Sequence, residues 1–233
     1  MIRRLAWLAV EAGPPTPTVD FYERLVGLPP DGTTAVDPAR LVASYRLGDG
    51  RLELRSPDGN PPVGRHTHFA IEVAANRYDG LYGRFERHGP VTERTFGGNR
   101  SVYLLDPAGH VVEFGERPEL DGAFGDIFEV VLEVEDRDRA CDRYLRLGLE
   151  PVDQGTDRPR VRLTGAFDLE LWEPHRGIAG ARGGSNVELG LVVDDPEAAV
   201  AAIAGSSAST DAHDGGGLVV TDPDGHRLVF LET

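Results

Sequence analysis

Two stretches decide the fold: LLDPAGHVVEFGE at residues 104–116 and VTDPDGHRLVFLE at residues 220–232. Both run through an Asp-Pro-x-Gly-His turn into alternating apolar residues. Asp106 and Asp222 are 116 residues apart, half of the 233-residue chain. Self-similarity at a fixed period marks a duplicated architecture. Each half divides again. LAWLAV (5–10), HFAIEV (68–73), EVVLEV (129–134) and ELGLVV (188–193) show the alternation of half-buried strands. Each precedes a helix-like stretch, TPTVDFYERLVG, ANRYDGLYGRFERHG, DRDRACDRYLRLG or DPEAAVAAIAG, that ends near a glycine, as helix C-termini commonly do. Closing strands follow at RLELRS (51–56), VVEFGE (111–116), DLELWE (168–173) and RLVFLE (227–232), with tight turns at Asp49-Gly50, Ala108-Gly109 and Asp224-Gly225. The unit is βαβββ, and it occurs four times.

The predicted class is α+β. The modules span 1–56, 66–116, 125–174 and 185–233, grouped as a first pair over 1–116 and a second over 117–233. Composition shifts mark connectors at 56–65, 117–125 and 175–185. The last is glycine-rich, but it lacks the strand-to-helix setting of a phosphate loop.

Composition removes several function classes. All 24 basic residues are arginine, which excludes a P-loop lysine and Schiff-base chemistry. A formal charge of −15 repels phosphate backbones and anionic membranes, leaving a small molecule as the expected partner, a cationic one if the chain is a metal-free binding protein. The acid-rich, lysine-free composition also suits salt adaptation, in which molar salt screens the self-repulsion. A single cysteine, Cys141, fits a reducing cytoplasm, and its helical setting reads as packing. The apolar run Leu5–Val10 is too short for a secretory or membrane-spanning segment. No Gly-x-Ser-x-Gly elbow is present.

The paired βαβββ unit, with a polar residue opening the first strand and Asp-Pro-x-Gly-x-x-x-Glu closing it, resembles the vicinal oxygen chelate superfamily. That group includes glyoxalase I, bleomycin-resistance proteins and extradiol dioxygenases. The resemblance covers nearly the whole chain and is strongest over Thr67–Glu116. It implies two paired, open, curved mixed sheets with helices outside. It also implies a divalent metal (Zn, Ni, Mn or Fe) held by the residue opening the first strand and one on the last strand of each module. In the first half those positions are Leu5, Glu53, His68 and Glu113. In the second they are Glu129, Glu170, Glu188 and Val229, a set without histidine that reads as degenerate.

Strand alternation supports part of this independently. His68, Ala70 and Glu72 share one face of their strand, and Glu113 and Glu53 point away from their apolar neighbours. The expected metal ligands are Glu53, His68 and Glu113, with Glu53 or Glu113 also serving as general base in a glyoxalase-like, Lewis-acid reaction on a substrate with two neighbouring oxygens. Leu5 cannot coordinate, which keeps two alternatives open: a metal-free ligand-binding protein and a ring-cleaving dioxygenase. Module pairing within one chain or across a homodimer is likewise open. His66 is an outside candidate ligand. His110 and His226 read as turn residues, His88 as a helix-end cation, and His175 and His213 as loop residues. Trp7 and Tyr103 read equally as apolar walls of the first cleft and as core packing.

Overall fold

The computed structural model describes residues 1–31, 41–56, 68–155, 160–173, 187–204, 210–212 and 217–233. His66, His175, His213 and most of two predicted connectors lie outside the described residues.

The first module contains β1 (Ile2–Glu11), a short helix α1 (Pro15–Asp20) that continues as a π-helical turn over Phe21–Val26, β2 (Leu41–Leu47) and β3 (Gly50–Arg55). The second contains β4 (His68–Ala74), α2 (Ala75–His88), β5 (Thr92–Phe96), β6 (Asn99–Leu105) and β7 (Val111–Arg117). The third contains β8 (Phe124–Glu133), α3 (Arg137–Leu145), β9 (Glu150–Gln154), β10 (Arg160–Thr164) and β11 (Asp168–Trp172). The fourth contains β12 (Val187–Val193), α4 (Pro196–Ala204), β13 (Thr210–Ala212), β14 (Leu218–Thr221) and β15 (Arg227–Glu232). The α+β class and the modular repeat are as expected. No described helix is long and apolar enough to cross a membrane.

Which modules share a sheet differs from the expectation. One sheet runs β13-β14-β15-β12-β1-β3-β2 and joins the first module to the fourth. The other runs β5-β6-β7-β4-β8-β11-β10-β9 and joins the second to the third. The grouping into 1–116 and 117–233 is therefore not the grouping of the sheets. A physical reason lies in the connections: only six residues, 118–123, separate β7 from β8. That short link sets β8 antiparallel beside β4. The first strand of module one is left to pair with that of module four.

The Asp-Pro-x-Gly-His turns bind modules within each half instead. Asp106 Oδ1 accepts the amides of Ala108 and His110 at 2.9 and 2.8 Å, while Oδ2 accepts the Tyr22 hydroxyl at 2.9 Å. Asp222 repeats the arrangement with the amides of Asp224 and His226 and the hydroxyl of Tyr144. The repeat that reveals the duplication is a structural clasp: a carboxylate ties its own turn to the helical segment of the preceding module. His110 and His226 are buried turn residues, His110 against Asp106 and His226 donating from Nε2 to the Glu133 carbonyl.

One buried acid on β8 is left without a partner. Glu133 Oε1 has no hydrogen bond among the described residues, and burial pushes its carboxyl up to about 7. Between the usual carboxylate value and 7 the folded chain holds a proton that the unfolded chain has lost. Stability contributed by this group is thus present at low pH and lost as pH rises through that window, by about 1 to 3 kcal/mol. Glu133→Gln is expected to raise the melting temperature at pH 8 and leave it unchanged near pH 4. Equal shifts at both pH values would refute this.

Candidate metal centre

His68 opens β4, and register places it opposite Val111 of β7 and Val131 of β8. Ala70, one alternation further, lies between Glu113 and Glu129. Because alternate side chains share a face, His68, Glu113 and Glu129 converge on one side of the sheet. Glu170 of β11 pairs with Val131 and joins them from the far side. The four line one cleft of about 730 Å³.

The convergence is close. His68 Nε2 lies 3.3 Å from Glu113 Oε2 and 3.9 Å from Glu129 Oε1. One donor atom from each of the three lies within 4.8 Å of the others, and all three residues are buried. Donors that share a tetrahedral ion at ligand lengths of about 2.0 to 2.2 Å sit about 3.4 Å apart, so the spacing fits one cation. The imidazole is held edge-on between Tyr103, at 5.7 Å between ring centroids, and Trp172, at 6.1 Å.

The electrostatics separate the two carboxylates. Burial acts to raise Glu113, but hydrogen bonds from His68, Ser101 and Tyr103 together with the His68 charge outweigh it and hold the group below the usual range. Glu129 goes the other way. Burial, then the neighbouring Glu170 and Glu113, push it up to about 7 against the pull of His68 and Arg162. A cation between the carboxylates removes both penalties. Glu170 stands outside the close group, its oxygens held by Trp172 Nε1 at 2.7 Å and Arg160 at 3.0 Å. Arg162 reaches Glu129 Oε2 at 2.9 Å and also pairs with Asp168.

Glu53 is not part of this centre. It lies in the other sheet, fully buried, with Arg51 2.7 Å from one oxygen and Arg55 2.6 Å from the other. Neither the ligand role nor the base role expected of it is open to it there. The reason is the module pairing: β3 neighbours β1, which faces β12 rather than β4. Leu5 is misplaced for a local reason. A register shift between Leu5 and Trp7 inserts an extra residue in β1, so Leu5 joins the helix-side core and Trp7 turns to the opposite face.

The second sheet therefore holds a counterpart centre with corners Trp7, Glu53, Glu188 and Val229. By register, Glu188 opposite Ala9 and Gly190 opposite Trp7 repeat His68 opposite Val131 and Ala70 opposite Glu129. Glu53 and Val229 repeat Glu170 and Glu113. The Arg55 guanidinium bridges the two acids, with Nη2 2.6 Å from Glu53 Oε2 and 2.9 Å from Glu188 Oε1. Arg227 closes on the other Glu188 oxygen at 2.7 Å. Trp7 fills the remaining space, donating to Glu188 at 3.0 Å, and its ring lies where a Cβ at residue 190 would sit, 2.2 Å away. Only glycine fits at Gly190. Trp7 is thus a wall of this closed centre, whereas Tyr103 does line the open one.

Glu129 and Glu170, corners of the half expected to be degenerate, join His68 and Glu113 in a set in which every corner can ligate. Trp172, Arg160 and Arg162 were missed. The short link between β7 and β8 was the available signal.

The fold and this four-cornered cleft define the class. The paired-module fold expected from the resemblance is the fold of several solved structures. Among them the chain is similar to a Bacillus subtilis protein named as a candidate dioxygenase, with a TM-score of 0.74 and 17% identity over 99% of this chain and 85% of that one. Glyoxalase I from Zea mays superimposes with a TM-score of 0.64 and 20% identity over 98% of this chain and 92% of its own. No family profile matches the sequence, and neither does any curated protein.

Proposed function

We propose that the chain is a glyoxalase-like, divalent-metal-dependent enzyme whose centre is His68, Glu113 and Glu129, with Glu170 at the fourth corner. The observation that carries this reading is the convergence of one imidazole nitrogen and two carboxylate oxygens within 4.8 Å in a buried position. An imidazole with carboxylates suits Mn, Fe, Ni or Zn. Bound there, a divalent ion would supply Lewis-acid polarisation of a substrate with two neighbouring oxygens. The residues divide the remaining work. Glu113, held by Ser101 and Tyr103, presents a carboxylate oxygen beside the imidazole. Glu170 lines the same cleft outside the three-donor group and is the carboxylate placed to take a substrate proton, while Trp172 and Arg160 hold it in position.

The donor set favours this over a ring-cleaving dioxygenase, whose Fe(II) triad takes two histidines and one carboxylate. The metal-free reading loses its main support, because Leu5 is not a corner of the cleft. Titrating metal-depleted protein with Mn²⁺, Ni²⁺ and Zn²⁺ tests the proposal. One ion per chain is expected. No saturable binding of any of the three ends the reading.

A further inference from the structure

The cleft differs in charge from the chain that contains it. The whole protein carries −15, yet the cleft is lined by four arginines (Arg94, Arg117, Arg160, Arg162) and four acids (Glu113, Glu129, Glu170, Asp153). Their charges cancel, and a divalent ion at the centre would leave the cleft positive. A concave, partly desolvated surface focuses such a field onto its ligand. The lining of this cleft therefore favours an anionic ligand, whatever the overall charge.

The arginines are not equivalent. Arg160 is taken by Glu170 and Asp153, Arg162 by Glu129 and Asp168, and Arg117 by Glu72 while it stacks on Phe128. Arg94 makes no hydrogen bond or ion pair among the described residues. It stands exposed on the edge strand β5, two positions from Phe96, whose ring is 58% exposed, and both side chains line the cleft. Register places Arg94 opposite Ser101, while Thr92 sits opposite Tyr103 and Tyr103 opposite Glu113. Arg94 is thus two strands across and two residues along from Glu113. At ordinary strand spacing and rise that is about 12 Å between Cα atoms.

We infer that the substrate is an organic anion: a head with two neighbouring oxygens at the centre, a middle crossing Tyr103 and Ser101 of β6, and a carboxylate or similar group paired with Arg94. A guanidinium offers such a group a two-pronged, charge-assisted contact. This rests on the metal-centre reading above. The Mn²⁺-loaded full-length chain, titrated with two eight-carbon hydroxamates, one ending in a carboxylate and one in a methyl group, tests it. The carboxylate form is expected to bind about tenfold tighter. Arg94→Gln should bring that ratio to about one with Mn²⁺ affinity unchanged. Arg77→Gln, which removes the same charge from an exposed position of α2, should keep the preference. Equal binding of the two hydroxamates by the unaltered chain, or a preference that survives Arg94→Gln, overturns the assignment of the anion. Failure to bind Mn²⁺ at all overturns the metal reading itself, and this inference with it.

Discussion

Arg55→Ala is expected to lower stability by about 3 to 5 kcal/mol. The guanidinium is 7% exposed and lies between Glu53 and Glu188, which are themselves 0% and 5% exposed. Removing it leaves Glu53 to Arg51 alone, and Glu188 to Arg227 and the Trp7 indole. Two buried carboxylates then face each other without the charge that joined them. A second substitution should give part of the loss back. Glu188→Gln in the Arg55→Ala background removes one of the orphaned charges, so the double variant should be more stable than the single one. Chemical denaturation of the three proteins measures this. A double variant less stable than Arg55→Ala would contradict the assignment of Arg55 as the cation of the closed centre.

His68→Ala should weaken divalent-ion binding on the order of a hundredfold or more, since it removes the nitrogen donor of the three-donor group. Glu129→Gln should act similarly, because an amide is a poor ligand for these ions. Glu53→Gln is the informative control. Were the modules paired in chain order, it would remove a ligand; paired as they are, it should leave ion affinity unchanged. Calorimetric titration with Mn²⁺ distinguishes the cases. Unchanged affinity in His68→Ala, or a large loss in Glu53→Gln, would sink the centre described above.

Much of this was written in local sequence. The alternation in HFAIEV places His68 and Ala70 on one face and Phe69 and Ile71 in the core, and VVEFGE does the same for Glu113 against Val112 and Phe114. Those relations depend only on neighbours along the strand, so a period of two is enough to read them. Which first strand lies beside β4 depends instead on the reach of connections and the competition among four similar edges. Glu53 was grouped with His68 for that reason, and Glu129 with Glu188. The bulge in β1 was illegible too, because one extra residue turns Leu5 and Trp7 to opposite faces with no change in hydrophobic pattern. Arg94 shows a third limit. Net charge is a property of the whole surface, while a ligand meets only the lining of its cleft.

Pairing of the outer modules with each other and the inner modules with each other says something about descent. A half-length ancestor with two modules, dimerised in this way, would have had two identical clefts, each borrowing half its corners from the other copy. No mutation could have altered one without the other. Joining two such copies end to end would free each cleft to differ from the other, as the clefts of this chain do. One cleft is now closed by Trp7 and Arg55, while the other brings His68 and its carboxylates together.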